Sequence, residues 1–179
     1  MQFFQIILLS VIASVAYGIV HDQITIRICL EYFTVGHPPV FQTASPTLLG
    51  LGWGVIATWW MGFFLGIPLA YAARRGEPNK LTARQLIKPV AVLLIAMAGI
   101  AFVSGLIAFL LASRGIVKLE SAFANALPRA THVPFLVDSW AHSASYVSGG
   151  FGGLGLVFWV WHRRMKQWNQ PKIQPTGAN

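Results

Sequence analysis

Two stretches of this chain, from about Leu48 to Ala73 and from about Pro89 to Ala112, contain no Asp, Glu, Lys or Arg. An α-helix needs about 20 apolar residues to cross the hydrocarbon of a bilayer, and both runs exceed that. Two further stretches qualify: Phe3 to Val20, and Ser139 to Trp161, which holds His142 in its first turns. The expected fold is an all-α integral membrane protein, with about four transmembrane helices in a bundle and a structured outer loop. Residues 1–169 form a single transmembrane domain. The tail at 170–179 is polar with two prolines and is expected to be disordered.

Composition supports this. Of the residues, 55% are hydrophobic and 10% charged, against roughly 25% charged in soluble domains. Such a chain cannot cover a globule with solvated side chains, but it can face lipid. The net charge of +8, from 13 Lys+Arg and 5 Asp+Glu, clusters at the ends of apolar runs. It therefore reads as a topology signal, and no basic patch interleaved with aromatics points to nucleic acid. The first stretch has a rival reading as a signal peptide with a cleavage site at Ser14-Val15-Ala16, but no Lys or Arg precedes it.

Arg74, Arg75, Lys80, Arg84, Lys88, Arg163, Arg164, Lys166 and Lys172 fall on one side of the expected spans, and Arg27, Arg114, Lys118 and Arg129 on the other. The richer side is expected to be cytoplasmic. Both termini are then inside, and loops 21–47 and 113–138 outside. Trp53, Trp140, Trp159, Trp161 and Trp168 sit near span ends, as interfacial belts do. Glycines at four-residue spacing, Gly50/Gly54, Gly62/Gly66 and Gly149/Gly153, mark expected close helix contacts. Pro68 is expected to kink the second span.

Four of the five histidines, His21, His37, His132 and His142, fall on or near the outer face, as do Asp22, Glu31, Glu120 and Asp138. Glu77 is the only acid inside. His162, beside Arg163 and Arg164, reads as a snorkelling residue at the inner interface. His21-Asp22-Gln23 ends the first span. Asp138 and His142, spaced i, i+4, open the fourth on one helix face, where a carboxylate and an imidazole share a metal or the first orients the second. Asp138 alone also suits a helix N-terminus. His142 lies a turn inside an apolar run, where ionisable groups are expensive and face a bundle interior or a cavity. Tyr146, Ser143 and Ser145 extend that polarity.

If spans one and four are neighbours, His21 and His142 meet, and a mixed shell with Asp138 or Asp22 suits zinc or iron. Glu31, His37 and His132 are further candidates for the same polar site, and a b-type haem between two histidines is a weaker one. Cys29 is the single cysteine, so CxxC redox chemistry, Cys-rich zinc sites and c-type haem are excluded. No HExxH, GxSxG, Walker A or strand-borne GxGxxG motif occurs. Residues 24–34 alternate apolar and polar like a strand. Yet Gln23, Arg27 and Glu31 also fit a helix face with an Arg27–Glu31 ion pair, so the pattern leaves both open.

The block Tyr17-Gly18-Ile19-Val20-His21-Asp22-Gln23-Ile24-Thr25-Ile26-Arg27-Ile28-Cys29-Leu30-Glu31-Tyr32-Phe33-Thr34-Val35-Gly36-His37-Pro38, paired with Trp140-Ala141-His142 and Ser145-Tyr146, resembles one in uncharacterised bacterial multi-pass membrane proteins. The resemblance implies a bacterial inner-membrane protein and assigns no catalytic or binding residue. Three readings stand: a divalent-metal or enzyme-like site at the outer interface; a small transporter or channel component with the polar cluster at a pathway mouth, the uncharged span interiors arguing against a charged conduction path; and an assembly subunit whose glycine faces dock a membrane-protein partner or a second copy.

Overall fold

The uncharged runs form helices, and the helices overrun them. The computed structural model describes residues 1–76 and 79–168. Among these are α1 (Gln2–Thr25), α2 (Leu30–Thr34), α3 (Pro46–Ile56), α4 (Trp59–Arg74), α5 (Ala83–Ser113), α6 (Ser121–Ala126) and α7 (His132–Trp168), the last preceded by a 3-10 turn at Arg129–Thr131. No strand occurs among the described residues. Glu77 and the tail at 170–179 lie outside them.

Local chemistry sets the helix ends. α5 starts earlier than the apolar run because Thr82 and Gln85 form a reciprocal capping box: the Gln85 N–H donates to the Thr82 hydroxyl and the Thr82 N–H to the Gln85 carboxamide. The Ala83 N–H donates to the Gln2 side chain at 3.0 Å, fastening α1 to α5. α7 starts at His132 with Pro134 in its first turn, where a missing N–H costs nothing. Asp138 is therefore well inside α7. The expectation that it serves a helix N-terminus is corrected.

Three further expectations change. Residues 24–34 are the end of α1, a turn and α2, so the strand alternative is removed, and loop 21–47 begins only after Thr25. Because Arg27 sits in that turn, no helix face joins it to Glu31. The Arg27 guanidinium donates instead to the Gln23 backbone and side chain and to the Thr47 hydroxyl. The second stretch is broken at Ala57–Thr58 into α3 and α4, whereas α4 runs through Pro68. Side chains satisfy the groups at the break. Thr58 Oγ1 donates to the Gly54 carbonyl, Ser14 Oγ to the Thr58 carbonyl at 2.7 Å and Tyr146 Oη to the Ala57 carbonyl at 3.2 Å.

Three helical stretches are long and apolar enough to cross a membrane: Gln2–Thr25, Pro46–Arg74 and Ala83–Ser113. α7 has the length, but Asp138, His142 and serines at 139, 143, 145 and 148 make it more polar. α5 packs along α7, α1 lies against α3 and α4, and α4–α7 and α1–α5 contacts close the bundle. Large apolar side chains point outward, with Ile95, Phe102 and Phe151 at 72%, 72% and 76% exposure. A surface this apolar matches a lipid-facing one. Trp159 and Trp161 stay at the surface, but Trp53 does not join such a belt: it is buried against Phe41 and His37.

The glycines set the helix spacing. A Cβ on Gly54 would lie 2.6 Å from the Ile19 backbone, and one on Gly62 would lie 2.7 Å from Val11 Cα. The backbones of α3 and α4 thus rest on α1 as only glycine allows. Gly50 and Gly66 face α1 through Gln23 and Ser10, Gly149 faces Met97, and Gly153 faces Leu65. These pairs are used within the chain.

One end of the bundle is apolar within and basic without. Ile6, Leu69, Leu86 and Val160 pack there. Buried Arg164 donates to the last-turn carbonyl of Ala72 at 2.6 Å and to Asn79 at 3.3 Å, which satisfies a helix C-terminus. The opposite end is aromatic: Phe33 and Trp53 in one cluster, Cys29, Leu127 and Phe135 in another. The polar residues gather beneath it.

Candidate metal centre

α1 carries Tyr17 and His21 on one face, four residues apart, with their rings stacked 5.7 Å between centroids. α7 carries His142 opposite, and the His21 and His142 rings meet edge to face at 4.5 Å. The close packing of α1 on α3 at Gly18 and Gly54 fixes α1 just below these residues.

The hydrogen bonds of His142 determine its chemistry. Its Nδ1 lies 2.8 Å from the Asp138 carbonyl oxygen. A carbonyl only accepts, so Nδ1 carries a proton and donates it. Its Nε2 faces Asp22 Oδ1 at 3.2 Å, with both side chains buried. In a neutral imidazole that nitrogen is a lone pair, and a lone pair set against a carboxylate oxygen needs a cation shared by both or a proton on one of the two groups. Beside them the His21 Nε2 is buried with no hydrogen-bond partner among the described residues. One ligand atom from each of His21, Asp22 and His142 lies within 4.8 Å of the others. Bonds of about 2.0–2.2 Å in tetrahedral geometry place ligand atoms roughly 3.3–3.5 Å apart. The Asp22–His142 pair, at 3.2 Å, stands close to that separation, and the His21 atom would have to move inward from within 4.8 Å to join it.

A cavity of about 40 Å³ adjoins these three side chains and is also lined by Ser14, Tyr17, Ser145 and Tyr146. Its walls are largely apolar, with Met61, Met97 and Gly149 beside those hydroxyls, and it has room for a water molecule. Tyr17 and Ser145 share a hydrogen bond of 2.8 Å across it.

Of the other sequence candidates, only Tyr146 lines the adjoining cavity among the described residues. The Asp138 side chain does not face the imidazoles. It is fully buried and neither oxygen has a hydrogen-bond partner among the described residues, while the nearby Cys29 backbone N–H donates to the Thr25 carbonyl at 3.0 Å. Asp138 reaches His142 only through its backbone carbonyl, and Asp22 takes the position beside the rings. His37 is held by the Tyr32 carbonyl at 2.7 Å between Phe33 and Trp53, and His132 faces the Leu127 carbonyl at 3.2 Å. Glu31 accepts from the Cys29 thiol at 3.6 Å. Tyr146 Oη is committed to the Ala57 carbonyl.

Two aromatic residues close the site without having stood out in the sequence. Tyr32 in α2 lies 4.6 Å from the His142 ring and Phe33 lies 5.6 Å from it, so α2 covers the cluster. Burial raises the Tyr32 hydroxyl pKa above its usual value and pushes the Cys29 thiol up to about 11. Tyr17 was legible as the residue four before His21. Tyr32 had no local signal, because a turn separates it from α1. Comparison with protein-family models, curated proteins and solved structures gives no match, so the site's own chemistry carries its interpretation.

Proposed function

We propose that this chain is a bacterial inner-membrane protein whose four long helical segments all cross the bilayer, and that His21, Asp22 and His142 hold one divalent transition-metal ion, zinc or iron, at their outer ends. One observation carries the metal reading: His142 Nδ1 is committed to the Asp138 carbonyl while its Nε2 confronts the Asp22 carboxylate. A metal cation accepts both groups as ligands, and it takes the unpartnered His21 Nε2 as a third. The adjoining cavity leaves a fourth position for water or substrate, as in catalytic rather than structural sites.

Metal analysis of protein purified in detergent without chelator tests this. The expected result is one metal ion per chain in the wild type and none in His142→Ala. A second reading rests on the same contact: Asp22 and a doubly protonated His142 form a metal-free tie between α1 and α7 in an assembly subunit. Metal-free wild type whose thermal stability ignores chelators would establish that tie and overturn the metal reading.

The proposed orientation puts both termini in the cytoplasm, the basic end inside and the aromatic cap outside. Cys29 is a silent background for testing it. Thiolate is the reactive form, and a thiol at about 11 is ionised at pH 8 only to about one part in a thousand. Reactivity therefore rises only as pH approaches 11. A membrane-impermeant maleimide at pH 7–8 is expected to leave wild-type cells unlabelled, label exposed Ala44→Cys in intact cells, and label Arg84→Cys only after permeabilisation. The reverse pattern inverts the topology.

A further inference from the structure

A cavity of about 730 Å³ opens sideways between α1, α5 and the start of α7. No Asp, Glu, Lys or Arg lines it, and its walls are side chains such as Val20, Phe102, Leu106 and Val137. Val20, Ile24 and Phe102 are 61%, 60% and 72% exposed at its mouth, so it is continuous with the outward apolar surface. His21 and Tyr17 line both this groove and the small cavity at the candidate metal centre.

We infer that the groove holds the hydrocarbon tail of one membrane amphiphile, whose polar head is thereby placed at His21. This names the substrate class of the proposed centre and rests on that reading for its chemistry, although the groove itself does not depend on a metal. Three observations select a lipid tail over a partner helix. The groove is within the size range of sites for single small molecules, about 300–1,000 Å³. It opens onto the surface facing hydrocarbon. It ends on His21 and Tyr17, polar side chains that also line the small cavity at the candidate metal centre, so its inner end suits a polar head and not an apolar helix.

The test uses the full-length protein in phosphatidylcholine liposomes doped with a phosphatidylcholine that carries a diazirine on one acyl chain. Photolysis is expected to label Val137 and Ala141 on the groove floor. A Phe at Ala98 and a Leu at Gly105, where an added Cβ meets only contacts of 3.4 Å or more, fill the groove. The Ala98→Phe, Gly105→Leu variant is expected to lose floor labelling several-fold while labelling at outward-facing Phe63 and Phe64 stays constant. Floor residues unlabelled in the wild type, or equally labelled in the filled variant, overturn the proposal. Metal content is measured on the same samples. Metal-free protein whose floor labelling still falls on filling rejects the metal centre and keeps the tail site. Metal retained with an unlabelled floor does the opposite.

Discussion

Asp22→Asn is expected to strip the metal from the purified protein and leave the fold standing. The carboxamide has the size of the carboxylate, and its N–H can donate to the His142 Nε2 that Asp22 Oδ1 faces at 3.2 Å. The contact between α1 and α7 thus survives as an ordinary hydrogen bond, worth about 1 kcal/mol. The anion does not survive, and with it goes one of the three proposed ligands. Loss of an outer-shell partner alone costs about 10–100-fold in metal affinity, so loss of a direct ligand is expected to exceed that. The apo midpoint of Asp22→Asn should stay within about 2–4 °C of the apo wild type, the shift that ~1 kcal/mol gives a chain of this size. A chelator should lower the wild-type midpoint and leave the variant unmoved. Equal metal content in the two proteins would remove Asp22 from the ligand set.

Gly54→Leu is expected to do the reverse: it breaks the bundle before it reaches the site. The atoms that a Cβ would meet, the Ile19 N and Cα at 2.6 Å and the Gly18 carbonyl carbon at 2.8 Å, are backbone and cannot rotate away. α3 must move off α1, at a cost of about 3 kcal/mol or more. Because α1 carries His21 and Asp22, the metal should be lost together with the fold. Loss of the monodisperse peak in detergent chromatography reads the effect, with Gly54→Ala intermediate. Gly155 is the control. Nothing lies within 4 Å of its added Cβ, so Gly155→Ala is expected to be neutral or to gain up to about 1 kcal/mol from helix propensity. A Gly54→Leu protein as stable as the control would mean that α1 and α3 do not pack as described.

The contrast between these substitutions explains how far the sequence could be read. Helix identity was legible wherever charge was absent, because no other local signal competes with such a run. Helix ends were not. His21-Asp22-Gln23 read as the close of the first span, yet α1 continues through them to Thr25, since Gln23 finds the Thr47 carbonyl and Asp22 finds His142. Tertiary partners there make polar residues acceptable in a helix. The glycine pairs announced close contacts but not their partner, because spacing gives a face and not its neighbour. Asp138 and His142 were correctly on one face. Even so, the imidazole takes the Asp138 backbone carbonyl and turns its free nitrogen to a carboxylate 120 residues away. No local pattern carries that pairing. The Arg27–Glu31 pair failed for a related reason: four-residue spacing means proximity only while the helix lasts, and α1 ends two residues before Arg27.

The contact between Asp22 and His142 also has a consequence in time. It joins the first long helix to the last, across a sequence separation of 120 residues. During synthesis, α1, α3, α4 and α5 emerge and can pack on one another while His21 and Asp22 still lack their partner. The cluster exists only once α7 has been made and packed. On the proposed metal reading, loading is then a final step of biogenesis, and any chain stalled or cut before His142 lacks one of the three side chains that would hold the ion.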